Sequence, residues 1–179
     1  MIRFNLNEEK AIEALVWLAN EKPGITFYYI VKVLFFADKI HLNKYGRPIL
    51  GDQYVAMPHG PVPSTVYDML GLDKFLDQDL TKMVEESLVI DGIKVTPTPG
   101  RKPKLEVFSK SDIECLKESL ATYGNMSFAL LKRITHEEPA YIDAPANGQM
   151  DYLKMIDETN PHRKEITKQL EEFSRHLSL

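Results

Sequence analysis

The segment ITFYYIVKVLFFADKIHLNKYG, Ile25 to Gly46, is apolar on nearly every helical face from Phe27 to Ala37, and Lys32 alone interrupts it. A helix with one apolar stripe lies on a surface; a helix that is apolar most of the way round has to be covered on all sides. The rest of the chain must therefore wrap this segment, and 179 residues suffice for one domain with a substantial core. Gly46, followed by Arg47-Pro48, supplies the stop signal for the helix.

The wrapping elements are legible from their caps and periods. Asn7 caps a first helix, with Glu8 and Glu9 favourable in its first turn, an apolar stripe at Ala11, Leu15 and Leu18, and EKPG at Glu21 to Gly24 to end it. Ser64 to Leu70 reads as a short helix with Val66, Met69 and Leu70 inward, and Ser64 suits its cap. GLDKFLDQDLTKMVEES, which follows, reads as helix or irregular structure. SLVI and IKVT then flank Asp91-Gly92, a pair that suits a type I′ hairpin, and KLEVF at Lys104 to Phe108 offers a third strand.

Helices resume with a capping box at Ser109 and Asp112, followed by Ile113, Leu116, Leu120 and Tyr123, with Gly124 as the end. Another helix starts at Ser127 and runs through Arg133. Asn160-Pro161 has the form of an N-cap and first helical residue, before Ile166, Leu170, Phe173 and Leu177. The expected fold class is α+β, mainly helical: a single domain, 1–179, around a central buried helix with a small antiparallel hairpin or three-stranded sheet.

Composition narrows the function classes. A formal net charge of -4 argues against nucleic acid as the main partner, because neutralising phosphates needs a basic surface. Arg101, Lys102 and Lys104 form the one concentrated basic patch and read as a solvated loop. Cys115 is the only cysteine, so no intramolecular disulfide or cysteine-based zinc knot can form, which fits a reducing cytoplasm. Neither a signal-peptide pattern at MIRFNLNEEK nor an apolar run of membrane-spanning length is present.

Three polar clusters carry what chemistry the chain offers. Leu34, Asp38, His41 and Tyr45 are spaced four, three and four on the central helix, so polar residues continue an apolar stripe. Asp38 either orients His41 for acid–base work or belongs with it to a structural hydrogen-bond network. The second cluster is GDQYVAMPHGPVPSTVYDML, Gly51 to Leu70, a stiff corner in which Gly60 follows His59 and three prolines restrict the backbone. A rigid loop ending at a helix N-terminus can bind a partner's carboxylate, but no phosphate-binding glycine pattern is present. The third is THEEPAYIDAPANGQ, where His136, Glu137 and Glu138 precede Pro139 and Tyr141; HEEP lacks the second histidine of a zinc helix. His162 and His176 read as solvated residues of the last helix, Cys115 as a partly buried small residue, and no cofactor or metal is expected.

The order of these clusters resembles the Panacea, or SocA-like antitoxin, domain of bacterial and phage toxin–antitoxin operons. Phe36, Ala37, Asp38, His41, Leu42, Tyr45, Gly46, Gly51, Asp52, Tyr54, Ala56, Gly60, Pro61, Val62 and Tyr67 match its long first block, and Thr135, His136 and Pro139 match its late segment. Ala140 stands where tryptophan is common, with Tyr141 next. The resemblance implies a protein-binding antitoxin rather than an enzyme, with a cognate toxin as partner and, for at least one relative, a protease to which the toxin is delivered; a homo-oligomer is compatible with it. The expected contact region is the Gly51 to Val62 loop, including Met57 and His59, with Asp38, His41 and Tyr45 behind it. A competing reading, a small hydrolase or transferase using Asp38, His41, His59 and His136, requires those four groups to converge.

Overall fold

The structure, a computed structural model, describes residues 2–74 and 76–176, with the backbone alone for 173–176. Helix α1, Glu8–Glu21, begins where the Asn7 side chain accepts the Lys10 N–H at 3.0 Å. Strand β1, Ile25–Thr26, leads directly into the central helix α2, Phe27–Tyr45. That helix ends at Gly46, whose φ of 74° gives the left-handed C-cap that glycine adopts without a Cβ penalty.

Burial all round α2 follows its composition. Ile30, Val31, Val33, Leu34 and Ala37 join one apolar cluster with α1, while Phe35, Phe36 and Leu42 join a second on another side. Strands β2, Tyr54–Met57, and β3, Gly60–Pro63, pair antiparallel over α2, and α3, Ser64–Gly71, follows. After a turn, Asp77 caps α4, Gln78–Ser87, so the ambiguous polar stretch contains both irregular structure and a helix.

Strands β4, Leu88–Asp91, and β5, Lys94–Pro97, form the expected hairpin, but Asp91 pairs with Lys94 and the turn residues are Gly92 and Ile93. Gly92 has φ +60° and Ile93 does not have positive φ, so the turn has the form of a II′ turn with glycine at its first central position rather than type I′. KLEVF is not the third strand: Leu105–Val107 is a 3₁₀ turn, and β1 completes the sheet in the order β1-β5-β4. The two residues of β1 carry too little local pattern to announce a strand; their pairing with Val95 and Lys94 is tertiary.

Helix α5, Lys110–Tyr123, starts at a reciprocal Ser109–Asp112 capping box and packs along α2, where the Ser119 hydroxyl donates to the Val33 carbonyl at 2.7 Å. Helices α6, Phe128–His136, and α7, Pro139–Ile142, flank the β2–β3 hairpin. A 3₁₀ turn, Tyr152–Met155, precedes α8, Arg163–His176. Asn160 does not cap α8 directly, since the helix begins at Arg163; its side chain accepts the His162 N–H at 2.9 Å in the preceding turn. Ile166 and Leu170 are buried as expected, whereas the side chains of Phe173 and His176, and Leu177, lie outside the described residues. The basic loop is not simply solvated: Arg101 pairs with Glu13, a residue only 2% exposed, which also accepts the Lys104 backbone N–H at 2.8 Å.

Candidate functional site

Within the stiff corner from Gly51 to Leu70, the expected loop is a β-hairpin, β2–β3, and the expected short helix α3 follows it. Tyr54 and Ala56 turn their backbone groups outward, where Met150 N–H donates to the Tyr54 carbonyl and Ala56 N–H to the Gly148 carbonyl, each at 2.9 Å. Pro61 and Pro63 stand opposite Ala56 and Tyr54, at positions whose backbone nitrogens face away from the β2–β3 ladder, so their lack of an N–H costs that ladder nothing. The Pro61 carbonyl accepts instead from Lys32 Nζ at 2.7 Å. Gly60 must be glycine on two counts: its φ is +101°, and a Cβ there would stand 2.5 Å from Thr135 Oγ1.

Beneath this hairpin the family-like polar residues form an interior network. One oxygen of Asp38 accepts the Ile49 and Leu50 N–H groups at 2.8 and 3.1 Å, and the other accepts the Tyr54 hydroxyl at 2.9 Å. Burial pushes the Asp38 carboxyl up to about 6, against the pull of those three donors. Asp52 caps α3 by accepting the Thr65 N–H at 3.2 Å and the Val66 N–H at 2.9 Å; Ser64 makes no side-chain cap. Its backbone carbonyl accepts the buried Tyr152 hydroxyl at 2.6 Å, and Tyr152 packs edge-on to Tyr54. Gly51, at φ +76°, lets the chain pass against Phe4.

His41 does not pair with Asp38. Its Nδ1 donates to the Arg47 carbonyl at 2.8 Å, and its Nε2 lies 3.0 Å from Ser111 Oγ and 3.1 Å from Asp112 Oδ1. Asp112, fully buried, also receives Lys10 and Arg47, each at 2.9 Å, and the Ser109 N–H at 3.0 Å. Burial alone would raise its pKa, but the bonds from His41, Lys10 and the Ser109 backbone outweigh burial and hold the carboxyl well below the usual range. This hub joins α1, α2 and α5. Its sequence signature was the capping box, which revealed one of its bonds and none of the distant partners.

At the hairpin tip the environment opens. His59 is exposed and its ring lies 5.6 Å from that of Phe128, itself 47% exposed. Met57 is half-buried against the core, and its carbonyl accepts the Tyr141 hydroxyl at 2.9 Å. Tyr141 stacks on His136 at 4.4 Å, so the aromatic displaced by one position reaches the hairpin while Ala140 is buried. Burial, with Lys132 and Lys32 nearby, lowers the His136 pKa. A groove of about 310 Å³ runs beside the tip, lined by Pro58, His136, Tyr141, Ile142 and Asn147 among others.

The expected site residues thus divide. Asp38, His41, Asp52 and Tyr54 are interior, with Gly51, Gly60, Pro61 and Val62 buried around them; Tyr45 and Tyr67 are 50% and 41% exposed, and Pro139 opens α7 on the surface. Asp38, His41, His59 and His136 are not gathered into one constellation: the first two occupy separate buried networks, and only the last two share the surroundings of the tip. Among the described residues no cluster of His, Cys, Asp and Glu suits a metal ion, and no helix is long and apolar enough to cross a membrane.

Most of the expected site residues therefore form a scaffold that holds a proline-rich hairpin over the central helix. The "Antitoxin SocA-like, Panacea domain" family matches residues 30–141, and the chain belongs to that family. Comparison with curated proteins and with solved structures found no match.

Proposed function

We propose that this chain neutralises a toxin made beside it by binding that toxin directly, through the tip of the β2–β3 hairpin and the flanking helices α6 and α7. The division of the hallmark block supports this reading most. Its polar groups Asp38, His41 and Asp52 are each satisfied by hydrogen bonds inside the protein, whereas Phe128 and Ile142 stand 47% and 64% exposed beside the tip. Aromatic and aliphatic anchors around a rigid element are the physical basis of a protein-binding surface. Residues 1–179 act in this reading as one domain, in the cytoplasm, without a cofactor.

Co-expression with the product of the adjacent gene tests the proposal. The expected result is restored growth and a complex that co-purifies, and a folded Phe128→Asp/Ile142→Asp double variant should lose both. A wild-type chain that neither rescues growth nor forms a complex overturns it. Toxin that accumulates with its partner indicates occlusion; toxin that disappears faster in its presence indicates delivery to a protease.

A further inference from the structure

The chain is acidic, with 26 Asp and Glu against 22 Lys and Arg, yet the segments that meet at the hairpin tip, residues 53–67, 125–136 and 144–150, contain no Asp or Glu. They carry His59, Lys132, Arg133 and His136 instead. Phe128, Lys132 and His136 are spaced four and four along α6 and form one stripe. At one end of that stripe Phe128 lies 5.6 Å from His59, and at the other His136 stacks on Tyr141. Lys132 is thus a cation set between two aromatic contacts.

Acids close in sequence are engaged elsewhere or stand past the helix end. Glu138 pairs with Lys39 at 2.6 Å and Asp143 with Lys154 at 2.9 Å, while Glu137, whose backbone forms the C-cap of α6, is exposed one residue past His136. Lys132, Lys32 and His59 stand near His136, and all three are basic. The His136 ring lies beside the Pro58 backbone. Its Nε2 is buried without a hydrogen-bond partner among the described residues. The patch therefore carries Lys132 and Arg133, neither in an ion pair among the described residues, with exposed apolar side chains on either side.

We infer that the toxin segment received at this tip is acidic and amphipathic, with a carboxylate set against Lys132 and flanking apolar side chains packed on Phe128 and in the groove beside Ile142. The inference rests on the proposed function and adds the chemistry of the partner. Complementary charge of this kind steers the encounter and fixes register, while the apolar flanks supply the lasting contact.

The test uses the complex with the adjacent gene product. Carbodiimide coupling forms an amide only between an amine and a nearby carboxylate, and mass spectrometry should find Lys132 joined to an Asp or Glu of the toxin. Lys132→Glu should weaken affinity by about tenfold or more, Lys132→Ala should do so less, and reversing the coupled toxin acid to Lys should restore binding to Lys132→Glu. Circular dichroism confirms that each variant is folded. A wild-type complex that is unaffected by Lys132→Glu, or that couples only through other lysines, overturns this inference and leaves the proposed function standing. Release of a bound single-stranded RNA, rather than the toxin, by Lys132→Glu would also overturn it. Absence of any wild-type complex overturns the proposed function, and this inference with it.

Discussion

Replacing Lys32 by methionine keeps the length of the side chain and removes a buried cation. Lys32 is 1% exposed, and among the described residues its ammonium makes one hydrogen bond, the 2.7 Å contact to the Pro61 carbonyl. Burial lowers its pKa from 10.5 to about 7. At about 1.4 kcal/mol per pH unit, the folded state disfavours the ammonium by about 5 kcal/mol, with the Tyr28 ring at 5.3 Å offsetting part of that cost. Between about pH 7 and 10.5 the unfolded chain binds the proton more tightly, so the parent gains stability as pH rises and is most penalised below 7. Loss of the bond to Pro61 costs about 1–3 kcal/mol at any pH. Lys32→Met should therefore be more stable than the parent by about 2–4 kcal/mol at pH 6, and that advantage should shrink to little or nothing by pH 9. Urea unfolding followed by the fluorescence of Trp17, the single tryptophan and 3% exposed, reads both values. A variant less stable than the parent at pH 6, or a difference that does not change with pH, refutes the reasoning.

The remaining predictions concern the scaffold. Asp112→Ala should cost about 3–5 kcal/mol at pH 7 by stranding buried His41 beside Lys10 and Arg47, measured by denaturant titration. Because the folded Asp112 carboxyl lies below its unfolded value, its contribution is present above about pH 4 and fades as pH falls through the folded value. The acid limb of the parent's stability curve should accordingly flatten in Asp112→Asn. Gly60→Ala should lower stability by about 2–4 kcal/mol through positive φ and the clash with Thr135, and adding Thr135→Ala should recover only part in thermal melts. Asp52→Ala should cost about 1–2 kcal/mol by uncapping α3, with faster amide exchange at Thr65 and Val66 as its local signature.

How far the site could be read in advance depended on the range of the interaction. The burial of α2 and the caps at Asn7, Ser109 and Gly46 are local matters, and they stand where periodicity and capping chemistry put them. Asp38 and His41 share a helix face, but that face meets two different neighbours: the chain entering β2 supplies Ile49, Leu50 and Tyr54 to Asp38, while α5 brings Asp112 to His41. Spacing alone suggested that the two residues served each other. Ser64 had the right chemistry for a cap, yet Asp52 fills the role because the hairpin returns the chain to its own starting point. The third strand was missed for the same reason, since β1 is defined by its partner rather than by its two residues.

The amino-acid sequence by itself determined that a helix apolar on nearly all sides would be central, that a short hairpin would follow it between residues 87 and 97, and that Gly60 would permit a sharp backbone path. These follow from side-chain periodicity and backbone stereochemistry, which act within a few residues. Tertiary structure alone decided which hallmark residues are scaffold and which reach the surface. It closed Asp38, His41 and Asp52 into hydrogen bonds with groups as far as 71 residues away. It also brought Phe128 and His136, remote in sequence, against the β2–β3 hairpin, a contact that no local pattern announces.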